Sequence, residues 1–332
     1  MKPYNRASAL PVQALLFLRG SVSDALHVCA ALFKIMIPAV IIVKLLQEAG
    51  IIILLGDVMS PVMRLFGLPG SMALVWATAM LTNLYAAAAV LISMLPGTPL
   101  TVAQVTVLAT MMLIAHALPV ELGIARRSGA RLRTQLILRV GGALLCGWLL
   151  ALVYALLNMG TAPVHPAWIP EGVPEGWIPW MISETKNLAV MAFIILVLIM
   201  LLNTLKATGV TDLLVRALAP LFNILGVGRE AGTITIIGMT LGLSYGGGLI
   251  INEARSGGIP ARDIFFALSF MGLTHSLVED TMLMFLLGAD LLGILWARVL
   301  FTIVVIWLLT KFVSAVPDRF IRAALVRSPA DM

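Results

Sequence analysis

Apolar runs long enough to cross a bilayer recur along the chain, near residues 24–46, 70–95, 101–123, 134–157, 186–206, 230–252, 261–286 and 290–313. A spanning helix needs about 20 predominantly apolar residues, so each run is a candidate crossing. Two further stretches are mixed. Gly50–Leu68 interleaves apolar residues with Asp57 and Arg64, and Gly209–Val227 does the same with Asp212 and Arg216. That texture suits helices lying in the membrane interface. Before the first run, Ala9–Leu18 is apolar and closed by Arg19, with no clear small-residue cleavage site after it. It is expected to stay as a lead-in rather than be removed as a signal.

The two mixed stretches belong to a longer repetition. Gly50, Pro61, Gly67 and His116 stand opposite Gly209, Pro220, Gly226 and His275, at a constant offset of 159 residues. Glu121 falls opposite Asp280, so each copy carries a histidine with a carboxylate five residues later inside an apolar stretch. Duplicated halves with ionisable groups at matched depth are a common plan of secondary transporters.

Charge decides how many runs cross. If all eight do, either the cluster Arg126, Arg127, Arg131, Arg133 or the termini with Lys311, Arg319, Arg322 and Arg327 fall outside. Both versions break the positive-inside rule. If 70–95 and 230–252 instead enter and return on one side, six crossings remain. Every large basic group then becomes cytoplasmic, and Asn158–Glu184, which has no lysine or arginine, becomes external. The expected fold is therefore an all-α polytopic membrane protein with six transmembrane helices, two re-entrant hairpins and two interfacial helices. Three crossings per half is an odd number, so the repeats must be inverted. The expected divisions are a cytoplasmic lead-in at 1–23, a first repeat at 24–157, an external loop at 158–184, a second repeat at 185–313 and a basic cytoplasmic tail at 314–332. One hairpin tip is expected at Thr82-Asn83-Leu84-Tyr85. The other is expected along Gly242–Gly248, where three successive glycines would ease a sharp reversal.

Composition agrees. The chain has 332 residues, of which 61% are hydrophobic and 11% charged, with a mean hydropathy of +1.04. No soluble domain of this size can bury so much apolar surface. The net charge of +6 is topogenic rather than a nucleic-acid footprint. Cys29 and Cys146 both lie in apolar segments and read as small buried hydrophobes rather than a disulfide. Trp168, Trp177 and Trp180, in the Pro-rich external loop, read as interface anchors.

Charged and polar groups inside membranes are costly and usually face a cavity or a partner. The candidate substrate-binding set is Asn83, Tyr85, His116, Glu121, Ser244, Tyr245, Gly246, Gly247, Asn252, His275, Glu279 and Asp280. His116 and His275 can accept a proton, ligate a metal or hydrogen-bond a ligand; packed between helices, each could equally be satisfied by a carbonyl. Pro119 would free a backbone carbonyl near His116. Glu279 shares a helix face with His275. The acidic residues could instead pair structurally with Arg298 or Lys34. Glu253 and Arg255 read as a structural pair at the hairpin mouth. Candidate metal ligands are His116, His275, Glu279 and Asp280, though a transition-metal site normally needs three or four firm ligands.

The order of helix, interfacial helix, re-entrant hairpin and helix, with Leu243–Gly258 (LSYGGGLIINEARSGG) and Thr274–Asp280 (THSLVED), resembles the Gate, or nucleoside-recognition, domain family. The likeness covers about residues 25–125 and 185–290, two Gate-like units in one chain. The family includes part of the concentrative nucleoside transporters, the membrane domain of ferrous-iron transporters and the spore maturation proteins A and B. The resemblance implies a midplane cavity between hairpin tips and broken helices. It leaves the cargo open, because members handle different cargo and the full nucleoside-binding motif set is not found here.

Three readings follow. The first is a secondary transporter of a small polar solute, nucleoside-like or other, coupled to protons or sodium and needing no other cofactor. The second is divalent-metal transport. The third is a non-transporting scaffold or assembly factor. With no P-loop, GxSxG, HExxH or CxxC in the sequence, an enzyme is not expected. Expected partners are the lipid bilayer, a small-molecule or ion substrate and, by the habit of hairpin transporters, a second copy of the chain. The expected location is a bacterial inner membrane with both termini cytoplasmic.

Overall fold

The computed structural model describes residues 9–164, 166, 176–225, 227–256, 258–315 and 325. Trp168 and, Leu325 apart, the basic tail beyond 315 lie outside the described residues. In chain order the helices are α1 (Ala9–Glu48), α2 (Ile51–Met63), α3 (Met72–Leu81), α4 (Leu84–Met94), α5 (Val102–Ile114), α6 (Leu118–Arg127), α7 (Leu132–Leu157), α8 (Trp177–Ala207), α9 (Val210–Ile224), α10 (Arg229–Leu241), α11 (Leu243–Ser256), α12 (Ala261–Leu273), α13 (Glu279–Leu286) and α14 (Arg298–Ala315). A π-helical turn, Leu292–Ala297, leads into α14. The lead-in expected at 1–23 is not separate from the first crossing. From Ala9 onward it continues into it as one 40-residue helix. Trp177 and Trp180 likewise open α8 rather than sitting in a loop.

Among the described residues five spans are long and apolar enough to cross a membrane: Arg19–Glu48, Val102–Arg127, Leu132–Leu157, Trp177–Leu205 and Leu292–Val313. The sixth expected crossing, 261–286, is divided between α12 and α13, each too short to cross alone. Burial separates the spans. In Val102–Arg127 the apolar window is 67% buried, against 17–28% in the other four. That span, with the almost wholly buried α4, forms the interior, and the others turn apolar side chains outward to lipid.

Side-chain and backbone bonds fix the two ends of the bundle. At one end Gln104 Nε2 donates to Gly67 O (2.8 Å), Val164 N donates to Leu100 O (2.9 Å), and Asp290 N donates to Thr106 Oγ1 (2.8 Å). At the other end Arg131 N donates to Leu325 O (3.0 Å), and Gln135 Nε2 donates to Ser269 Oγ (3.2 Å) on α12. The arginine cluster and Leu325 of the C-terminal tail thus share an end, as six crossings require and eight forbid.

The hairpins follow from these anchors. The α3–α4 hairpin leaves after Gly67 and returns to Leu100, both at the first end. Its tip meets the middle of the α5–α6 span, where Ala117 N donates to Ala79 O (2.9 Å). The α10–α11 hairpin leaves from Gly228 and returns to Ile259 at the second end, beside the start of α12. Its tip meets the α12–α13 break, where Leu277 N donates to Met239 O (2.8 Å). The hairpins enter from opposite ends, so the two halves are inverted.

Local geometry repeats with the sequence. Gly50 (φ 68°) and Gly209 (φ 74°) both turn the chain into their interfacial helices. Leu68 N donates to Met63 O (3.1 Å), and 159 residues on, Val227 N donates to Phe222 O (3.0 Å). The tips differ. In the first, Asn83 is extended and its side chain caps α4 by accepting from Ala86 N (2.8 Å). In the second, the reversal is confined to Gly242 (φ 90°), and Gly246–Gly248 run on inside α11. The glycine triplet is therefore not the turn. Gly242 alone needs the left-handed backbone, and packing of α11 on α10 carries the triplet's helical cost.

Candidate functional site

The site is built where two crossings break. α5 ends at Ile114 and α12 at Leu273. His116 and His275 follow, and the next residue in each copy, Ala117 (φ 45°) or Ser276 (φ 48°), is left-handed. This αL backbone costs an ordinary side chain energy, and such strain gathers at functional positions. Pro119 then sits in the first turn of α6, starting the second helix rather than bending a continuous one.

The breaks leave carbonyls without their helical donors, and side chains take them. His116 Nδ1 meets Met112 O at 2.9 Å and His275 Nδ1 meets Met271 O at 2.8 Å. A ring nitrogen this close to a carbonyl must carry the proton, because two acceptors would repel. In each neutral ring Nε2 is then a bare acceptor. The two Nε2 atoms face each other across 3.1 Å.

Carboxylates complete the cluster. Glu121, in the first turn of α6, brings Oε1 to 3.4 Å from His116 Nε2 and 3.2 Å from His275 Nε2. Asp280, in the first turn of α13, brings Oδ2 to 3.7 Å from His116 Nε2. All four side chains are buried. His116, His275 and Asp280 each offer a ligand atom within 4.8 Å of the others. Three ligand atoms, from His116, His275 and Asp280, therefore come together, and Glu121 Oε1 faces the two rings from beside them.

Two arginines stand behind the carboxylates, again 159 residues apart. Arg139 Nη1 pairs with Glu121 Oε2. Its Nε donates to Ile114 O (3.0 Å) and its Nη2 to His116 O (3.1 Å), closing the broken end of α5. Arg298 is buried and within electrostatic reach of Asp280. Among the described residues it makes no ion pair: its Nη2 donates to Thr281 Oγ1 (3.2 Å). Arg298 Nε and Nη1 and Asp280 Oδ2 find no hydrogen-bond partner among the described residues. The halves are equivalent in sequence and unlike in pairing.

Not all of the expected set converges. Tyr85 is buried at the first tip and donates to Glu279 Oε1 (2.6 Å), joining the hairpin of one half to the broken helix of the other. Asn83 spends its carbonyl on capping α4. Asn252 lies well along α11 and is exposed, away from the tip where it was expected. Ser244, Tyr245, Gly246 and Gly247 lie in the first turns of α11, and their side chains, like that of Arg255, are outside the description. Lys34 is exposed and is no partner for the acidic pair. Arg139 was missed from the sequence, although the 159-residue offset leads to it directly from Arg298.

The fold and site define an integral, all-α polytopic membrane protein with inverted repeats and a buried cluster of ionisable groups at its centre. Within it, residues 29–129 match the model of the Gate family, described as nucleoside recognition. The match covers the first of the two expected units; the likeness of the second to the first rests on the repeated geometry above. The chain is also similar to an uncharacterized membrane protein, YvoD, of Bacillus subtilis (strain 168), at 29% identity over 273 residues, 80% of this chain and 85% of the relative. No solved structure matches the chain.

Proposed function

We propose that this protein is a secondary transporter of a small polar solute or ion in a bacterial inner membrane. Its site is the cluster His116, His275, Glu121 and Asp280, with Tyr85 and Glu279 beside it. The supporting observation is convergence: two hairpins from opposite ends place their tips against two broken crossings, and the buried ionisable groups of both halves meet there. Transporter sites sit at such repeat interfaces near midplane. In this reading residues 24–157 and 185–313 are the two moving units. The loop 158–184 is external, and the lead-in 1–23 and tail 314–332 are cytoplasmic.

The unequal pairing of the halves supplies a switch. Glu121 is held by Arg139 while Asp280 and Arg298 stay unmatched. Exchanging these states would loosen the first half and tighten the second, turning access from one side to the other. The Tyr85–Glu279 bond ties the halves together and has to open in each cycle. Protons or sodium could drive the exchange.

The test is uptake into proteoliposomes by the full chain. His275→Ala is expected to abolish uptake while the protein elutes from gel filtration as wild type does. Undiminished uptake by that variant would remove the cluster from the pathway, and no uptake of any solute by the wild type would favour a scaffold.

A further inference from the structure

We infer that His116, His275 and Asp280, with Glu121 beside the two rings, form a binding site for one divalent transition-metal cation, the cargo or coupling ion of the site proposed above. The transport role rests on that reading; the binding does not. The first observation is the spacing of the acceptors. Ligands about 2.0–2.2 Å from a common ion in tetrahedral array lie roughly 3.3–3.6 Å from one another. The two Nε2 atoms lie 3.1 Å apart, Asp280 Oδ2 lies 3.7 Å from His116 Nε2, and the ligand atoms of His116, His275 and Asp280 all lie within 4.8 Å of one another; Glu121 Oε1 stands 3.2 and 3.4 Å from the Nε2 atoms of His275 and His116. Acceptors held this close repel one another unless a cation lies between them.

The second observation is independent. Asp280 Oδ2 is buried, points into the cluster and has no hydrogen-bond partner among the described residues. A buried carboxylate oxygen without a donor is costly, and an ion at the centre of the cluster would remove that cost.

The surroundings match what metal-ligating histidines need. Each ring directs Nδ1 at a backbone carbonyl, Met112 or Met271, which fixes the tautomer and presents Nε2. Glu121 is oriented by Arg139 through its other oxygen. Two imidazoles and a carboxylate, with a second carboxylate beside them and no thiolate, suit zinc, iron(II), cobalt(II), nickel(II) or manganese(II), and do not favour copper(I). Magnesium and calcium prefer all-oxygen sites.

The experiment uses the full chain in detergent, stripped with chelator and dialysed separately against zinc, cobalt and manganese. Bound metal per chain is measured by mass spectrometry, and cobalt is also followed by its visible spectrum. One ion per chain is expected, with cobalt giving the absorption of a four- or five-coordinate nitrogen–oxygen site. His116→Ala and Asp280→Asn should each weaken affinity by about tenfold or more. His27→Ala, at an exposed histidine outside the cluster, should leave it unchanged. Asp280→Asn preserves side-chain shape, so it reports on ligation even if the alanine variant folds poorly. Absence of bound metal from all three preparations, or stoichiometric metal persisting in the His116→Ala/His275→Ala double variant, would overturn the inference in favour of a shared proton. Stoichiometric metal without uptake in proteoliposomes would instead overturn the transport reading and leave this one standing.

Discussion

At the scale of single residues, the energetic centre of the site is Arg139. One guanidinium neutralises a buried carboxylate and satisfies two carbonyls that the end of α5 leaves open. Removing one partner of a buried, hydrogen-bonded ion pair typically costs about 3–5 kcal/mol, because the other charge is left alone; replacing both by apolar groups costs far less. Arg139→Leu is therefore expected to lower the thermal midpoint in detergent sharply, and Glu121→Leu likewise. The double variant should lie well above the sum of the two losses, a coupling that a double-mutant cycle measures directly. Additive losses would mean that the pair is not coupled. Arg139 also marks a limit of reading from sequence. The histidines stood out because they are rare and duplicated, whereas an arginine in a basic chain does not, until its counterpart at Arg298 is checked against the same offset.

At the scale of elements, the crossings, both interfacial helices and both hairpins were legible, because hydropathy and the sidedness of arginine are strong constraints in a membrane. The second tip was not. A run of glycines advertises flexibility, yet Gly246–Gly248 are helical and the chain reverses at Gly242. The difference is physical: helix propensity is a weak preference that packing overrides, whereas a backbone at φ 90° excludes most side chains outright. A Cβ at Gly242 would also lie 2.8 Å from Ser276 Oγ, next to His275. Gly242→Ala is expected to destabilise the protein by about 1–3 kcal/mol through backbone strain, and to impair uptake through the displaced tip. At Gly248 a Cβ meets nothing within 4 Å, so Gly248→Ala should be neutral or stabilising by about 1 kcal/mol. Thermal melts of the two variants side by side check this; equal losses would put the triplet back in the turn.

At the scale of the whole molecule, inversion follows from where the ends of the hairpins lie. Six crossings were inferred from charge alone, and the structure supports them by independent means, since Arg131 bonds to Leu325 at one end while Asp290 bonds to Thr106 and Tyr154 at the other. What sequence could not supply was the meeting of the cluster, since an offset shows that His116 and His275 are equivalent but not that they touch. Contact between equivalent residues requires both to lie near the axis relating the halves. An inverted repeat puts that axis across the bundle, so the cluster lies between its two ends, where both hairpin tips reach it. The sidedness itself can be measured. Met159 and Ser256 are both exposed, the first beside the start of α5 and the second at the mouth of the α10–α11 hairpin. Six crossings place them on opposite faces of the membrane; eight would place them together. In a background with Cys29 and Cys146 replaced, Met159→Cys should react with an impermeant maleimide on intact cells, and Ser256→Cys only after the membrane is opened. Labelling of both from the same side would return the hairpins to full crossings and dissolve the inverted arrangement on which the site depends.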